Sequence, residues 1–208
     1  MSFPDFFDQV PTITVHDGLA EMLGACTDGM ITYRYIDAVR LAGHSCPTVA
    51  GAYLMTRRAL NALYPDGTPE RGALRVRFAA AQDEGVSGVI GSVIGLITGA
   101  AGIGGFKGIG GNFQRQHLLQ YGVGGDGEVV FERGDNGAAV RLSMHMQRVP
   151  ADPGMSVLLR KILDGVATPD DKRGFATLWQ GRVQRILIDH VDDPELFTVT
   201  ALAPPAAQ

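Results

Sequence analysis

The sequence predicts an α+β fold, a mixed or antiparallel sheet with helices packed against it. Three observations carry that reading. Helix punctuation (a capping residue, an apolar helical period and a stopping glycine) recurs early in the chain and again beyond Pro150. Between those stretches, Leu74 to Phe78 and Ala138 to Gln147 alternate apolar and polar side chains, as half-buried strands do. At 208 residues, 45% hydrophobic and 19% charged, the chain can build a core and carries too little charge for disorder.

Asp17 is placed to cap a short helix carrying Leu19, Met22 and Leu23, which Gly24 stops. A second helix covers Arg34 to Ala42, with Ile36, Val39 and Leu41 on or near its apolar face, and ends at Gly43. Pro47 fits the first helical position, where a missing N–H costs nothing, and opens a third helix to about Leu63. Pro65-Asp66-Gly67 is its closing turn. Leu74 to Phe78 follows as a strand.

Val86 to Phe106 is 21 residues without a charge, long enough by count to span a bilayer. Seven glycines, three hydroxyl residues and the flanking Asp83 and Glu84 argue against that, so no membrane partner is expected. Gly91, Gly95 and Gly99 fall four apart on one face and would let another backbone approach, so Val86 to Thr98 reads as a buried helix. Gly102 to Phe113 reads as a loop. Gln116 to Leu119 reads as extended, Glu128 to Arg133 as a strand, and Asp135-Asn136-Gly137 as a hairpin turn into the next strand. Helices are expected from Met155 to Val166 and from Thr168 to about His190, with a loose tail from Ala203 to Gln208.

Charge and cysteine counts narrow the function. Eighteen basic against 22 acidic residues give a net charge of −4, and no run of Lys or Arg exceeds two, so no nucleic-acid partner is expected. Cys26 and Cys46 cannot make a disulfide framework, and work by them would be as thiolates in a reducing compartment. The opening residues lack the basic and apolar regions of a secretory signal, which points to the cytoplasm.

The chemistry-bearing spot is His44-x-Cys46-Pro47. In an extended stretch, residues two apart point the same way, so imidazole and thiol can converge on one ion. Cys46 sits at a helix start, whose N–H groups favour thiolate, and the pair suits zinc or another divalent transition metal. Ordinary packing is the competing account of so short a spacing.

Residues Tyr35 to about Leu119 resemble the FmdE family, named for formylmethanofuran dehydrogenase. The resemblance rests on Gly43-His44-Ser45-Cys46-Pro47, which opens a helix of small residues, Thr48-Val49-Ala50-Gly51-Ala52-Tyr53. It continues in Ile94 to Gly99 and in Phe106-Lys107-Gly108 to Asn112-Phe113, which look like the family's helix into Thr-Gly and its Gly/Lys-rich loop. Ala42 stands where relatives commonly carry a further His, Val89 and Ala100 replace expected cysteines, Ser92 replaces an Asp, and the Cys-rich zinc ribbon is absent. The resemblance implies an α+β domain that often forms a homodimer and binds a metal, commonly zinc, at the His/Cys motif. The division expected is an FmdE-like metal-binding domain over residues 1–150 and a helical extension over 151–208 packed on it. The family name also implies an oxidoreductase partner.

A third ligand must come from elsewhere, and His16 is the choice, since it precedes a helix leading towards the motif; the alternative is a helix-flanking His without metal. Asp83 and Glu84 could give an oxygen ligand, or simply be acids ahead of a helix N-terminus. Cys26 is expected to pack, and His117, His145 and His190 are not expected to ligate. Ser45 has no Gly-x-Ser-x-Gly elbow around it, so no catalytic residue is assigned. The glycine loop fails the dinucleotide and Walker patterns; its N–H groups with Lys107 could cradle an anionic cofactor, against the alternative of close packing.

Overall fold

The computed structural model describes residues 3–123 and 128–203, so the expected loose tail lies outside the described residues save for Ala203. The architecture is α+β, with six helices and two sheets among the described residues. Strands β1 (Ile13–His16) and β2 (Met30–Tyr33) form an antiparallel pair, Ile13 facing Tyr33 and His16 facing Met30. Helix α1 (Gly18–Met22) lies between them, followed by α2 (Tyr35–Ala42) and α3 (Pro47–Leu63). The main sheet begins with β3 (Leu74–Phe78); α4 (Ser87–Thr98) and β4 (Leu119–Gln120) come next. Strands β5 (Val129–Arg133) and β6 (Ala139–Met144), helices α5 (Met155–Leu163) and α6 (Pro169–Gln184), and β7 (Phe197–Leu202) complete the chain. The sheet order is β4-β3-β5-β6-β7, antiparallel except for the β3–β4 pair.

Alternation decides which face of this sheet is apolar. Val76 faces Phe131, which faces Val140, and Phe78 faces Val129, which faces Leu142; all six are buried. Arg75 and Arg77 point the other way, to Glu132 across the pair. Helix α3 packs on this apolar side against β6 and β7 and meets α4 as well. Hemmed in on several sides, it buries Val49, Tyr53, Leu54, Met55, Ala59 and Leu60. Each large side chain so buried contributes about 1.5–3 kcal/mol.

Several elements depart from expectation. Strands β1, β2 and β7 are additional: each is four to six residues long, too short a pattern to stand out. Leu19, Met22 and Leu23 of the first helix are not buried, because α1 lies at the surface and its role is set by its cap. Leu41 is likewise exposed on α2, whose buried side is Tyr35, Ala38 and Val39. Helix α6 continues through a π-helical turn, Arg185–Asp189, before the chain enters β7. Gly91 admits the hydroxyl of Tyr121 rather than a neighbouring backbone, and Gly99 is the left-handed residue that ends α4.

The glycine loop between α4 and β4 is fastened by charge. At its tip Ile109 and Asn112 exchange backbone hydrogen bonds of 2.9 and 3.0 Å around Gly110 and Gly111, both at positive φ. At its base Arg115 is buried. Its guanidinium donates to Asp17 Oδ1 at 2.8 Å and to the carbonyl of Arg71, while Arg71 donates to Asp17 Oδ2 at 2.8 Å and to the Leu96 carbonyl at 3.0 Å. Burial alone would raise the Asp17 pKa, but the Arg71 hydrogen bond, the Ala20 N–H and the charge of Arg115 prevail and hold it below the usual carboxylate range. Gly72 makes this possible, since a Cβ there would occupy the guanidinium of Arg115.

Two outcomes follow from this packing. Gly91→Ala should destabilise by about 1–3 kcal/mol through overpacking, and Tyr121→Phe in the same chain should recover part of that loss in a denaturant double-mutant cycle. Additive effects would mean that Tyr121 is not the obstacle. Arg115→Ala should cost about 3–5 kcal/mol, because Asp17 loses a buried partner. The same change should open residues 102–114 to limited proteolysis; wild-type resistance there would refute the anchoring role.

Candidate functional site

Gly43 takes the left-handed conformation (φ 75°) that ends α2, and the chain turns there into His44. The His44 side chain is exposed, and its Nδ1 lies 2.9 Å from the Ala42 carbonyl oxygen. A carbonyl can only accept, so Nδ1 carries the proton and Nε2 of the neutral ring keeps its lone pair. Such a bond fixes the tautomer and aims the ring, the usual outer support of a metal-binding histidine.

Cys46 is the N-cap of α3. Its backbone is extended (φ −147°, ψ 168°), Pro47 occupies the first helical position, and Sγ accepts the Val49 N–H at 3.4 Å. The sulfur is buried at the head of a 17-residue helix, where N–H groups without helical partners gather. Between the two candidates, Ser45 faces Tyr35 and α6. A soft sulfur and a borderline imidazole nitrogen, two residues apart, fit a zinc-like ion as donor types.

His16 serves another part of the fold. It ends β1, and its backbone bridges to the 69–71 segment, accepting from Arg71 N at 2.7 Å and donating to the Pro69 carbonyl at 2.9 Å. That places Glu70 at its ring: Nδ1 is 2.5 Å from Glu70 Oε2, and Nε2 is 3.2 Å from Glu21 Oε2. The other Glu70 oxygen accepts the Gly18 N–H at 3.2 Å. Gly29 leaves room for the ring, since a Cβ there would lie 2.6 Å from Nε2. The Glu70 hydrogen bond, reinforced by its charge and by Glu21, raises the His16 pKa despite the opposing effect of burial.

Among the described residues no group of three or more His, Cys, Asp or Glu side chains is arranged to hold a metal ion, so His16, His44 and Cys46 are not gathered into one cluster. Lys107 is exposed on the glycine loop. Asp83 and Glu84 are exposed in the turn before α4, Glu84 bordering a cavity of about 350 Å³ walled by Phe78, Val86, Ile90 and Met144. Cys26 is half-buried; His145 Nε2 lies 3.0 Å from Thr198 Oγ1 and His190 Nδ1 lies 2.8 Å from Asp193 Oδ2. The residues missed in the sequence are Asp17, Arg71 and Arg115 as a network, and Tyr35, Trp179 and Gln180 around Ser45. Asp17 was legible as a helix cap, but no local signal announces its arginine partners.

Because the His16 pKa is raised on folding, the charged ring contributes its full stability below the ordinary imidazole value of about 6.5 and loses it as pH rises through the folded value. Melting temperatures from about pH 6 to 9 should therefore fall more steeply for the wild type than for His16→Gln. Parallel profiles would show that Glu70 and Glu21 do not hold the ring as a cation.

Comparison with known proteins places the chain in a family. A search of the curated proteins finds no match to the chain. The family model described as "FmdE, Molybdenum formylmethanofuran dehydrogenase operon" matches residues 41–198. The match begins three residues before His44 and runs through α6 into the first residues of β7. No helix among the described residues is long and apolar enough to cross a membrane. With well over half of its length matched, from the His-x-Cys motif to the last strand, the chain belongs to the FmdE family.

Proposed function

We propose that this FmdE-family protein holds one divalent transition metal ion, zinc or a close relative of it, through Nε2 of His44 and Sγ of Cys46. The observation that carries the reading is the His44 Nδ1 bond to the Ala42 carbonyl, which commits one ring nitrogen as donor and leaves the other as a ligand atom. Cys46 supports it, since its sulfur already serves as an acceptor at a helix head. A bound ion would act as a Lewis acid towards a water or a small polar ligand. The ring of His16 serves Glu70 and Glu21, so the proposal rests on His44 and Cys46. The chain's own contribution is to orient two donors rigidly at the surface end of a buried helix. A homodimer in the reducing cytoplasm is the setting in which we place it.

A second reading is favoured by the family's description, which ties it to a molybdenum formylmethanofuran dehydrogenase operon. On that reading the protein is an accessory or cofactor-delivery module of a molybdenum or tungsten oxidoreductase and catalyses nothing alone.

Elemental analysis of the purified chain should find about one transition metal per protomer, retained through gel filtration, and a large loss in both His44→Ala and Cys46→Ala. Equal metal content in all three proteins would end the proposal. A turnover abolished by Cys46→Ala in the lone protein would favour an enzyme. Co-purification with a larger oxidoreductase, without turnover by the chain itself, would favour the accessory module.

A further inference from the structure

Ser45 separates the two proposed donors, and each of its polar groups except the backbone N–H is bonded to a residue far from it in sequence or on a different helix. Its hydroxyl donates to Gln180 Oε1 at 3.1 Å, which leaves Tyr35, 2.9 Å away, to donate its own hydrogen to Ser45 Oγ. Its carbonyl oxygen accepts two N–H groups, from Trp179 Nε1 at 2.9 Å and from Gln180 Nε2 at 3.2 Å. The Gln180 amide thus grips Ser45 at two points, with its oxygen on the hydroxyl and its nitrogen on the carbonyl. Such a paired contact fixes orientation as well as distance. Tyr35 is fully buried, and burial holds its hydroxyl in the protonated form that a donor needs.

The Ser45 carbonyl belongs to the peptide that leads into Cys46. Fixing that oxygen fixes the peptide plane, and with it the extended backbone that turns Cys46 Sγ onto the Val49 N–H. The same residue follows His44, whose ring is held by its bond to Ala42. Nothing within the motif itself could do this, because Gly43 is a left-handed hinge on one side and the helix begins only at Pro47 on the other.

We infer that Trp179 and Gln180 of α6 are positioning residues for the site, a clamp on Ser45 that sets the geometry of His44 and Cys46. The inference rests on the metal reading above for its consequence in binding, while the effect on Cys46 exposure stands without a metal. Helix α6 is thereby part of the site, although it adds no ligand. Loosening the clamp should leave the protein folded but spoil the approach of the two donors.

The test uses the full chain with Cys26→Ser, so that Cys46 is the only thiol. Gln180→Ala and Trp179→Phe each remove bonds to Ser45. Val183→Ala serves as the control, because it removes buried carbon from the same helix and no bond to Ser45. Zinc affinity, measured by competition with a chromophoric chelator, should weaken by about 10–100-fold in the two clamp variants, the usual effect of losing outer support of a metal site. Iodoacetamide should alkylate Cys46 of the metal-free clamp variants about tenfold faster than in the control, since a loosened strap opens the buried sulfur locally. If both clamp variants track Val183→Ala in affinity and alkylation rate, the inference is overturned. If the wild type binds no zinc, the metal reading fails, and the alkylation rates alone still decide the clamp. Should Gln180→Ala not fold, Gln180→Glu keeps the acceptor for the Ser45 hydroxyl and turns the donor to its carbonyl into a second oxygen that repels it; an unchanged alkylation rate in it and in Trp179→Phe would also overturn the inference.

Discussion

Helix α3 runs through the core with most of its apolar side chains out of water, and the rest of the protein is arranged to keep it there. The apolar side of the main sheet covers it at β6 and β7, α4 covers another side, and the π-helical turn after α6 adds to the enclosure. The hydroxyl of Tyr53, on the same helix, lies 2.9 Å from the Pro11 carbonyl and 3.0 Å from that of Tyr33, tying the β1–β2 pair to it. Edge-to-face contacts then link Phe6, Phe7, Tyr35 and Tyr53 in one aromatic series. A helix held on so many sides cannot slide or rotate cheaply, because interiors are close-packed. Its first residue is therefore a fixed point, and Cys46 caps that point.

The glycines make sense against the same background. Several of them are spaces for particular side chains rather than freedoms for the backbone. Gly29 accommodates the ring of His16, Gly72 the guanidinium of Arg115, and Gly91 the hydroxyl of Tyr121. Large polar groups can then lie deep in the structure and still find partners. Even so, Nε of Arg71 and Nε of Arg115 are buried without an acceptor, a cost carried by the bonds their other nitrogens make to Asp17 and to carbonyls.

What the sequence made legible is what local chemistry controls. The cap and Pro47 at the head of α3, the glycine after α2, the alternation of β3 and β6 and the turn at Asn136-Gly137 are all decided within a few residues, and each was readable. The strands β1, β2 and β7 were not, since their pairing partners rather than their own short patterns define them. The surface position of Leu19, Met22 and Leu23 shows the converse: a sound cap with an apolar period does not say which side the rest of the protein will cover. In the site, the His44 and Cys46 pair was readable from spacing and family likeness. The partners of Ser45 on α6 lie 134 and 135 residues away, and Arg115 is 98 residues from Asp17. Such contacts depend on topology and leave no trace in the residues beside them.

Trp179 is the only tryptophan in the chain, and its indole N–H rests on the peptide between Ser45 and Cys46. Intrinsic fluorescence of this protein is therefore a local signal. It reports whether α6 is seated on the motif, with the ring of Phe175 tilted beside the indole at a centroid distance of 5.5 Å, and says little about the sheet. An unfolding curve followed by tryptophan emission measures the detachment of that helix. One followed by circular dichroism measures the loss of the whole fold, and the gap between the two curves is the independence of the site from its scaffold.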